Sequence, residues 1–158
     1  MTRIKLGHAH LFVRDVERST KFYTEILGLK ITEQRPQSWT FLSFGEAHHE
    51  LALSQVGMDA AGPDEGMVGL FHLAFDVEDK TIFAEIVQSL LDHGVEVHPV
   101  DHRIGWGAYF SDPDGNGLEV YCDTRHESDG AQFWEGKNRP LTKATVLAAL
   151  GASESTSG

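Results

Sequence analysis

The sequence predicts an α+β protein built from two βαβββ modules, and three observations support this fold class. Two segments with the same order of His, Val and Asp open the two halves: HAHLFVRD, His8 to Asp15, and HLAFDVED, His72 to Asp79. An apolar pattern of helical period follows each segment, and three short strand-like runs follow each helix. Such an internal repeat indicates two copies of one supersecondary unit.

The repeat divides the chain into four segments. The first module is predicted over residues 1–56, a linker containing Gly, Pro and Asp over 57–68, and the second module over 69–122. Residues 123–158 are predicted to form a C-terminal extension, with a loop, a helix from Leu141 to Leu150 and a disordered end rich in Ser and Gly.

One helix is predicted in each module, with a residue that starts it and a residue that ends it. Asp15 and Asp79 are the expected N-caps, and Gly28 and Gly94 are the expected stops. The apolar stripes that should face the sheet are Phe22, Ile26 and Leu27 in the first helix and Ile82, Phe83, Ile86 and Leu90 in the second.

Three strand-like runs complete each module. They read LKIT, WTFLSF and HELAL in the first copy, and VEVHPV, GAYFS and GLEVYC in the second. The segment DPDGN, Asp112 to Asn116, separates the last two runs and predicts a sharp turn.

Strand alternation separates a helix-covered face from an open face in each module. In GLFHLAFDV, Gly69 to Val77, one face is fully apolar and His72 falls on the opposite face. The residues that should pack under the helices are Ala9, Leu11 and Val13, then Phe71, Leu73, Phe75 and Val77, and finally Leu118, Val120 and Cys122. His8 and Glu119 therefore share the open face with His72, and all three can point into one concavity if the two sheets join around it.

Two imidazoles and one carboxylate on one side of an octahedral ion form a facial triad. Such a triad suits non-haem Fe(II) and leaves coordination positions free for substrate and dioxygen. A divalent cation also removes the cost of burying a carboxylate such as Glu119 without a positive partner. The alternative is that His8 and His72 are hydrogen-bonded strand histidines and that Glu119 is solvated; the equivalent positions of the two histidines in the repeat favour the metal.

Composition narrows the classes of function. The formal net charge of −11 argues against nucleic acid as a partner. A membrane partner is not expected either, because no apolar run approaches the ~20 residues that a bilayer span requires. The N-terminus has no long apolar run typical of a secretory signal, and a single cysteine, Cys122, fits a reducing cytoplasm, so a cytoplasmic location is predicted.

Three segments resemble the vicinal oxygen chelate superfamily, which includes glyoxalase I, extradiol ring-cleaving dioxygenases, fosfomycin-resistance transferases and bleomycin-binding proteins. They read GHAHLFVRDVERSTKFYTEILGL, FHLAFDV and YFSDPDGNGLEVY, and they cover most of residues 5–122. The resemblance implies paired βαβββ modules that form a cupped, mostly antiparallel mixed sheet around one metal. It also implies that His8, His72 and Glu119 are the metal ligands, the same three residues that strand alternation selects.

Two further features resemble the extradiol dioxygenases, and catechol 2,3-dioxygenase-like proteins in particular. In HHELAL, His48 to Leu53, the resemblance implies that His49 is a catalytic acid/base group; the alternative is a solvent-facing turn residue. Tyr109, ten residues before Glu119, is implied to hydrogen-bond the substrate or an intermediate. The segment FWEGKNRPLTKATVL is similar to the C-terminal extension of some of these proteins. Many extradiol enzymes have four modules, whereas two are predicted here, so the pocket is expected to be more open or to be closed by a partner subunit.

The resemblance therefore implies a non-haem Fe(II) extradiol dioxygenase that cleaves a catechol-like aromatic substrate with dioxygen. His102, in the loop VDHRIGWG, is expected to add a hydrogen bond near the substrate, and Trp39 and Trp106 to line its pocket. The alternative for His102 is a solvated loop residue, and for the two tryptophans it is an ordinary place in the core or at the rim.

Glu50 supports a different function. As a fourth ligand beside His8, His72 and Glu119, it would suit Zn²⁺ or Ni²⁺, or else Mn²⁺, and the proton-transfer chemistry of a glyoxalase I-like lyase or isomerase. His49 and Glu50 cannot both point inward from a regular strand, so only a turn or bulge at His48–His49 would free His49 to enter the pocket.

A third function class is a metal-free, drug-binding resistance protein, which would need none of these ligands. The expected assembly in all three cases is a homodimer, because paired-module proteins have exposed sheet edges.

Overall fold

The structure, a computed structural model, describes residues 4–64, 66 and 68–151. The chain separates into two compact units. Unit 1 runs to residue 66 and includes residues 112–115, and unit 2 contains the rest. The break after residue 66 falls within the predicted linker.

Unit 1 is a four-stranded mixed sheet with one helix. Its elements are β1 (Ala9–Val13), α1 (Val16–Ile26), β2 (Lys30–Arg35), β3 (Trp39–Ser43) and β4 (Leu51–Gln55). The strand order is β1-β4-β3-β2, in which β1 runs parallel to β4 and the other neighbours are antiparallel.

Unit 2 repeats this topology. Its elements are β5 (Leu73–Val77), α2 (Lys80–Asp92), β6 (His98–Asp101), β7 (Gly105–Ser111), β8 (Gly117–Asp123), β9 (Arg139–Pro140) and α3 (Lys143–Leu147). The strand order is β5-β8-β7-β6-β9, and β5 runs parallel to β8. The predicted α+β class with two βαβββ units is confirmed.

The helix caps form as predicted. The Asp15 carboxylate accepts the Arg18 N–H at 2.9 Å, and the Asp79 carboxylate accepts two N–H groups in the first turn of α2. Gly28 and Gly94 follow the two helices with φ values of +74° and +70°, a left-handed conformation that only glycine adopts without strain. None of the helices in the described ranges combines the length and the hydropathy that crossing a bilayer requires.

The buried face of α2 includes two of the four residues predicted for its apolar stripe, Phe83 and Leu90. Phe83, Val87 and Leu90 are fully buried, at the i, i+4, i+7 spacing that lines up on one face of a helix. Ile82 and Ile86 lie on the flank of this face, so they are only half-buried.

The first strand of unit 2 is shorter than predicted. The expectation that Phe71 packs under the helix is wrong, because β5 starts at Leu73 and the Phe71 side chain is 87% exposed. The reason is the length of the partner strand: β5 pairs only with β8, which begins at Gly117 and offers no partner to residues 69–71.

The C-terminal extension also differs from the prediction. The predicted loop contains β9, which pairs with β6. The predicted helix Leu141–Leu150 is the shorter α3 followed by a 3₁₀ turn at Ala148–Gly151, because the extended residue Thr142 caps the helix and sets its start at Lys143. The predicted disordered end falls on residues 152–158, which lie outside the described residues.

The predicted turn at DPDGN forms, and its carboxylates bind α1 within unit 1. The Asp112 side chain accepts the Asp114 N–H at 2.9 Å, and Gly115 takes a φ of +88°. Asp114, buried to 7% exposure, accepts hydrogen bonds from Arg18 Nη2 at 2.6 Å and from Ser19 Oγ at 3.1 Å. A buried carboxylate is thus matched by a cation and a hydroxyl.

Candidate functional site

The register of unit 2 confirms the predicted division of its sheet into two faces. Glu119 on β8 is paired with Ala74 on β5 and with Tyr109 on β7, so these three side chains project from the same face. Leu118, Val120 and Cys122 project from the other face and are buried under the helices.

His72 and Glu119 are in direct contact on the open face. His72 Nε2 lies 2.9 Å from Glu119 Oε2, and the Glu119 side chain is buried, with 7% of its surface exposed. Glycine at position 117 permits this approach, because a Cβ there would lie 2.4 Å from the carbonyl oxygen of Phe71. Among the described residues, no lysine or arginine forms an ion pair with Glu119.

This pair fits two ligands of a divalent cation. Two ligands at right angles on an octahedral ion, with bonds of about 2.1 Å, stand about 3 Å apart, close to the observed separation of His72 and Glu119. His72 Nδ1 is buried and has no hydrogen-bond partner within the described part of the chain. A cation would supply the positive charge that the buried Glu119 carboxylate lacks.

Tyr109 and His102 extend the cluster. The Tyr109 hydroxyl lies 2.7 Å from His102 Nε2, and its ring packs edge-on to His72 at a centroid distance of 5.4 Å. Burial raises the pKa of Tyr109, and the negative charge of the neighbouring Glu119 raises this pKa further. Tyr109 is therefore a phenol that keeps its proton at neutral pH.

Gly107 makes room for this arrangement. It lies on β7, and a Cβ at this position would stand 2.4 Å from Glu119 Oε1 and 3.2 Å from His102 Nε2. Any side chain would displace the carboxylate or the imidazole.

Unit 1 brings His8 and His49 together. His8 is exposed and immediately precedes β1, and its ring centroid lies 4.5 Å from that of His49. His49 stacks on Phe41 at 4.4 Å with an interplanar angle of 12°, and Phe41 in turn contacts Trp39 at 4.7 Å. Two imidazoles and two aromatic rings thus form a continuous row within this unit.

The turn between β3 and β4 uses the Glu50 carboxylate as a hydrogen-bond acceptor. The Glu50 carboxylate accepts the N–H of Phe44 at 3.0 Å and the N–H of Ala47 at 2.9 Å, which closes the turn and delays the start of β4 until Leu51. Burial opposes ionisation here, but hydrogen bonds hold the pKa of Glu50 below its usual value. His49 lies in the turn rather than in the strand, so strand alternation does not constrain it.

The ionisation of His49 is shifted by its surroundings. Burial, followed by the neighbouring imidazoles of His8 and His48, lowers the pKa of His49. A lowered pKa favours the neutral imidazole, which can accept a proton.

The structure does not bring Trp106 into the cluster of unit 2. Its ring lies 5.9 Å from Phe83 on α2, with Lys80 Nζ at 4.2 Å from the ring centroid. Trp106 and Tyr109 are three residues apart on β7, so they project from opposite faces. The contacts of Trp106 match the alternative expectation, a residue at the edge of the core.

The complete three-ligand set stays a prediction. His72 and Glu119 belong to unit 2 and His8 belongs to unit 1. Over residues 4–64, 66 and 68–151, no three His, Cys, Asp or Glu side chains form a group that could hold a metal ion. What the structure brings together is two pairs: His72 with Glu119, and His8 with His49.

Sequence reasoning missed two side chains that bind His102. Asn138 Oδ1 lies 2.8 Å from His102 Nδ1 and 2.8 Å from Trp134 Nε1. No local signal marks Asn138, because only the pairing of β9 with β6 carries it to the His102 loop. Trp134 stands four residues before Asn138, a spacing that has no special meaning outside a helix.

Comparisons with known proteins agree with this fold. The chain is 30% identical to the catechol-2,3-dioxygenase of Bacillus subtilis (strain 168), over 92% of this chain and 50% of that protein. It is also 30% identical to the glutathione transferase FosA of Serratia marcescens, over 73% of this chain and 79% of FosA. The chain thus spans half the length of the Bacillus dioxygenase and most of FosA.

A solved structure and a family profile point to the same group. The crystal structure of a glyoxylase/bleomycin resistance protein/dioxygenase domain from Frankia sp. EAN1pec aligns with a TM-score of 0.63 and 28% identity, over 77% of this chain and 99% of that one. The profile of the Glyoxalase/Bleomycin resistance protein/Dioxygenase superfamily matches residues 5–120. With two βαβββ units and a match over most of its length, the chain belongs to this superfamily.

Proposed function

We propose that this protein is a non-haem Fe(II) extradiol dioxygenase that cleaves the ring of a catechol-like substrate with dioxygen. The observation that carries the proposal is the contact between His72 and Glu119 beside the hydrogen-bonded Tyr109 and His102, on the open face of one sheet. Its similarity to a catechol-2,3-dioxygenase over 92% of the chain supports the same activity.

His8, His72 and Glu119 would hold the iron through two nitrogen ligands and one oxygen ligand. The two neutral imidazoles donate nitrogen lone pairs, and the carboxylate of Glu119 balances part of the charge. When bound, the Fe(II) supplies a Lewis-acid centre with free positions at which a diol and dioxygen can meet.

His49 is the proposed proton acceptor for a substrate hydroxyl. Its ring lies beside the ring of His8, the proposed ligand in the same unit, and the turn closed by Glu50 holds it there. A general base must be within hydrogen-bond reach of the proton that it removes, and a neutral imidazole is suited to this role.

Tyr109 is proposed to orient the substrate. Its hydroxyl is fixed by His102 at 2.7 Å, so a substrate oxygen meets a hydrogen-bonding group that is already in place. In unit 1, Trp39 ends the row of rings and offers an aromatic surface against which a substrate ring can pack.

The chain has two modules, so we propose that a second copy completes the assembly as a homodimer. The strand β2 is exposed along its whole length, and such an edge is available for pairing. The single cysteine is buried and free, which suits a reducing compartment such as the cytoplasm.

The proposal is tested by anaerobic reconstitution of the full chain with Fe(II), followed by oxygenated assays against simple, alkyl and aryl catechols. The expected result is a ring-fission product that absorbs visible light and is absent with the matched variant E119Q. Two parallel assays use samples loaded with Zn²⁺ or Ni²⁺. One supplies a glutathione hemithioacetal, and the other supplies glutathione together with an electrophilic substrate. Turnover in either of these assays, with no ring fission of any catechol, would assign the protein to another branch of the superfamily.

A further inference from the structure

A segment of the C-terminal extension, residues 131–140, is anchored on the loop that carries His102. The Ala131 N–H donates to the carbonyl oxygen of Arg103 at 2.7 Å. At the other end of the segment, Arg139 on β9 is the register partner of Asp101 on β6, one residue before His102. The segment is therefore attached to this loop near both of its ends, at Ala131 and at Arg139.

The middle of the segment is a tight turn that brings Trp134 close to Asn138. The Lys137 N–H donates to the Trp134 carbonyl oxygen at 3.1 Å. Glu135 and Gly136, the two central residues, have φ values of +54° and +69°. Left-handed backbone is unfavourable for glutamate, so this turn needs support from the contacts at its base.

Those contacts fix the orientation of the Asn138 amide. An indole N–H can only donate, so the Asn138 atom 2.8 Å from Trp134 Nε1 must be the carbonyl oxygen and not the NH₂ group. The same oxygen lies 2.8 Å from His102 Nδ1. A carbonyl oxygen can only accept, so His102 Nδ1 must carry a hydrogen.

The other ring nitrogen of His102 faces Tyr109. In a neutral imidazole with Nδ1 protonated, Nε2 has a lone pair and accepts a hydrogen bond. The Tyr109 hydroxyl, 2.7 Å away, is then the donor. If the Tyr109 hydroxyl donated to Glu119 instead, His102 Nε2 would have to donate to the Tyr109 oxygen. His102 would then carry a hydrogen on both ring nitrogens.

We infer that Asn138, oriented by Trp134, is a positioning residue that holds His102 in the Nδ1-protonated tautomer, so that the Tyr109 hydroxyl donates to His102 and keeps its own oxygen lone pairs for a substrate hydroxyl. The role in substrate binding rests on the proposed function, whereas the tautomer itself does not. Trp134 also packs edge-on against His102 at a centroid distance of 5.8 Å, which restricts rotation of the ring.

The test uses long-range ¹H–¹⁵N correlation NMR on the full chain labelled with ¹⁵N-histidine and treated with EDTA, with H102Q as the variant that assigns the His102 signals. We expect the wild-type Nδ1 to resonate as a protonated nitrogen and Nε2 as an unprotonated acceptor. In N138L, His102 should lose this tautomer preference, and its two ring nitrogens should show ¹⁵N shifts averaged between the two tautomers. N138D should retain it, because a carboxylate oxygen also accepts from Nδ1. Q132L removes an amide of the same segment that binds Arg125 instead of His102, and it should leave the spectrum unchanged.

The same variants separate this inference from the proposed function. In the Fe(II)-loaded enzyme, N138L should lower kcat about tenfold to a hundredfold with little change in iron content, and N138D should recover part of the loss. A wild-type His102 with hydrogen on Nε2, or the same His102 shifts in N138L as in the wild type, would overturn the inference even if the protein cleaves catechols. No cleavage of any catechol, with the expected tautomer, would overturn only the proposed function.

Discussion

His72 Nε2 lies 2.9 Å from Glu119 Oε2, and no lysine or arginine in the described ranges neutralises that carboxylate. This contact joins the residue just before the first strand of unit 2 to the middle of its fourth strand. The proposed metal chemistry depends on it, and the first predictions concern it directly.

Replacing Glu119 with Gln, or His72 with Gln, should weaken Fe(II) binding by about a hundredfold or more, because each change removes one of three proposed ligands. Iron per chain is measured after anaerobic reconstitution and desalting. His93→Gln, an exposed histidine at the end of α2, serves as the control and should bind iron normally. Wild-type iron content in E119Q would contradict the ligand assignment.

Gly107→Ala should disturb the site without unfolding the protein. The new Cβ would stand 2.4 Å from Glu119 Oε1, so the carboxylate has to move and metal affinity should fall. Gly69→Ala is the control, since a Cβ there meets nothing within 4 Å. Isothermal titration with Fe(II) and thermal unfolding are measured together, and unchanged affinity in G107A would show that Glu119 is not a ligand.

His49→Gln should lower kcat by a factor of about 10² to 10⁴, the usual contribution of a general acid or base. Iron content should stay at the wild-type level, because His49 is not among the proposed ligands. The exposed His126, replaced by Gln, provides the comparison. If H49Q kept full activity, another group would have to accept the substrate proton.

Asp114→Asn should destabilise the protein at pH 7 by about 2 kcal/mol, because it weakens charge-assisted hydrogen bonds from Arg14 and Arg18. Burial opposes ionisation of Asp114, but the hydrogen bond from Arg18, with help from Arg14 and Ser19, keeps the pKa of this carboxyl below its usual value.

The same lowered pKa sets the pH dependence of that effect. The contribution of Asp114 is fully present above its unfolded pKa, about 4, and is lost as the pH falls through the lower folded pKa. Urea unfolding at pH 7 and at pH 3 should therefore show a smaller difference between wild type and D114N at the lower pH. Asp59→Asn, at an exposed position in the same unit, should have little effect at either pH.

Cys122 should react slowly with thiol reagents in the folded protein. Burial raises the pKa of its thiol to about 11, so very little thiolate is present at pH 8, and the side chain is shielded on the helix-covered face. The reaction with DTNB should accelerate to the rate of free cysteine in denaturing urea. A fast reaction of the folded protein with DTNB would mean that the helix-covered face of the sheet is often exposed to solvent.

The sequence was sufficient to predict the order of the helices and strands and the faces of most strand residues. The caps at Asp15 and Asp79 and the alternation around Glu119 are local signals, and each depends on residues a few positions apart. Strand alternation selected His72 and Glu119, which the fold then placed in contact.

Other features could not be found in this way because they depend on partners distant in the sequence. The stacking of His49 on Phe41 is one example, because it depends on how the chain folds back between β3 and β4. The early end of β5 depends on where β8 begins. Asn138 meets His102 only through a two-residue strand that no sequence pattern marked.

The parallel pairing of β5 with β8 has a consequence for the biogenesis of the protein. Because β8 is the only strand that pairs with β5 in this sheet, β5 has no neighbour until β8 has left the ribosome. A nascent chain that stops before β8 exposes an unsatisfied edge and lacks one member of the His72–Glu119 pair, so it cannot offer both groups to a cation. The proposed iron would therefore bind only chains that include β8, and its binding would stabilise the native state over truncated or partly folded chains.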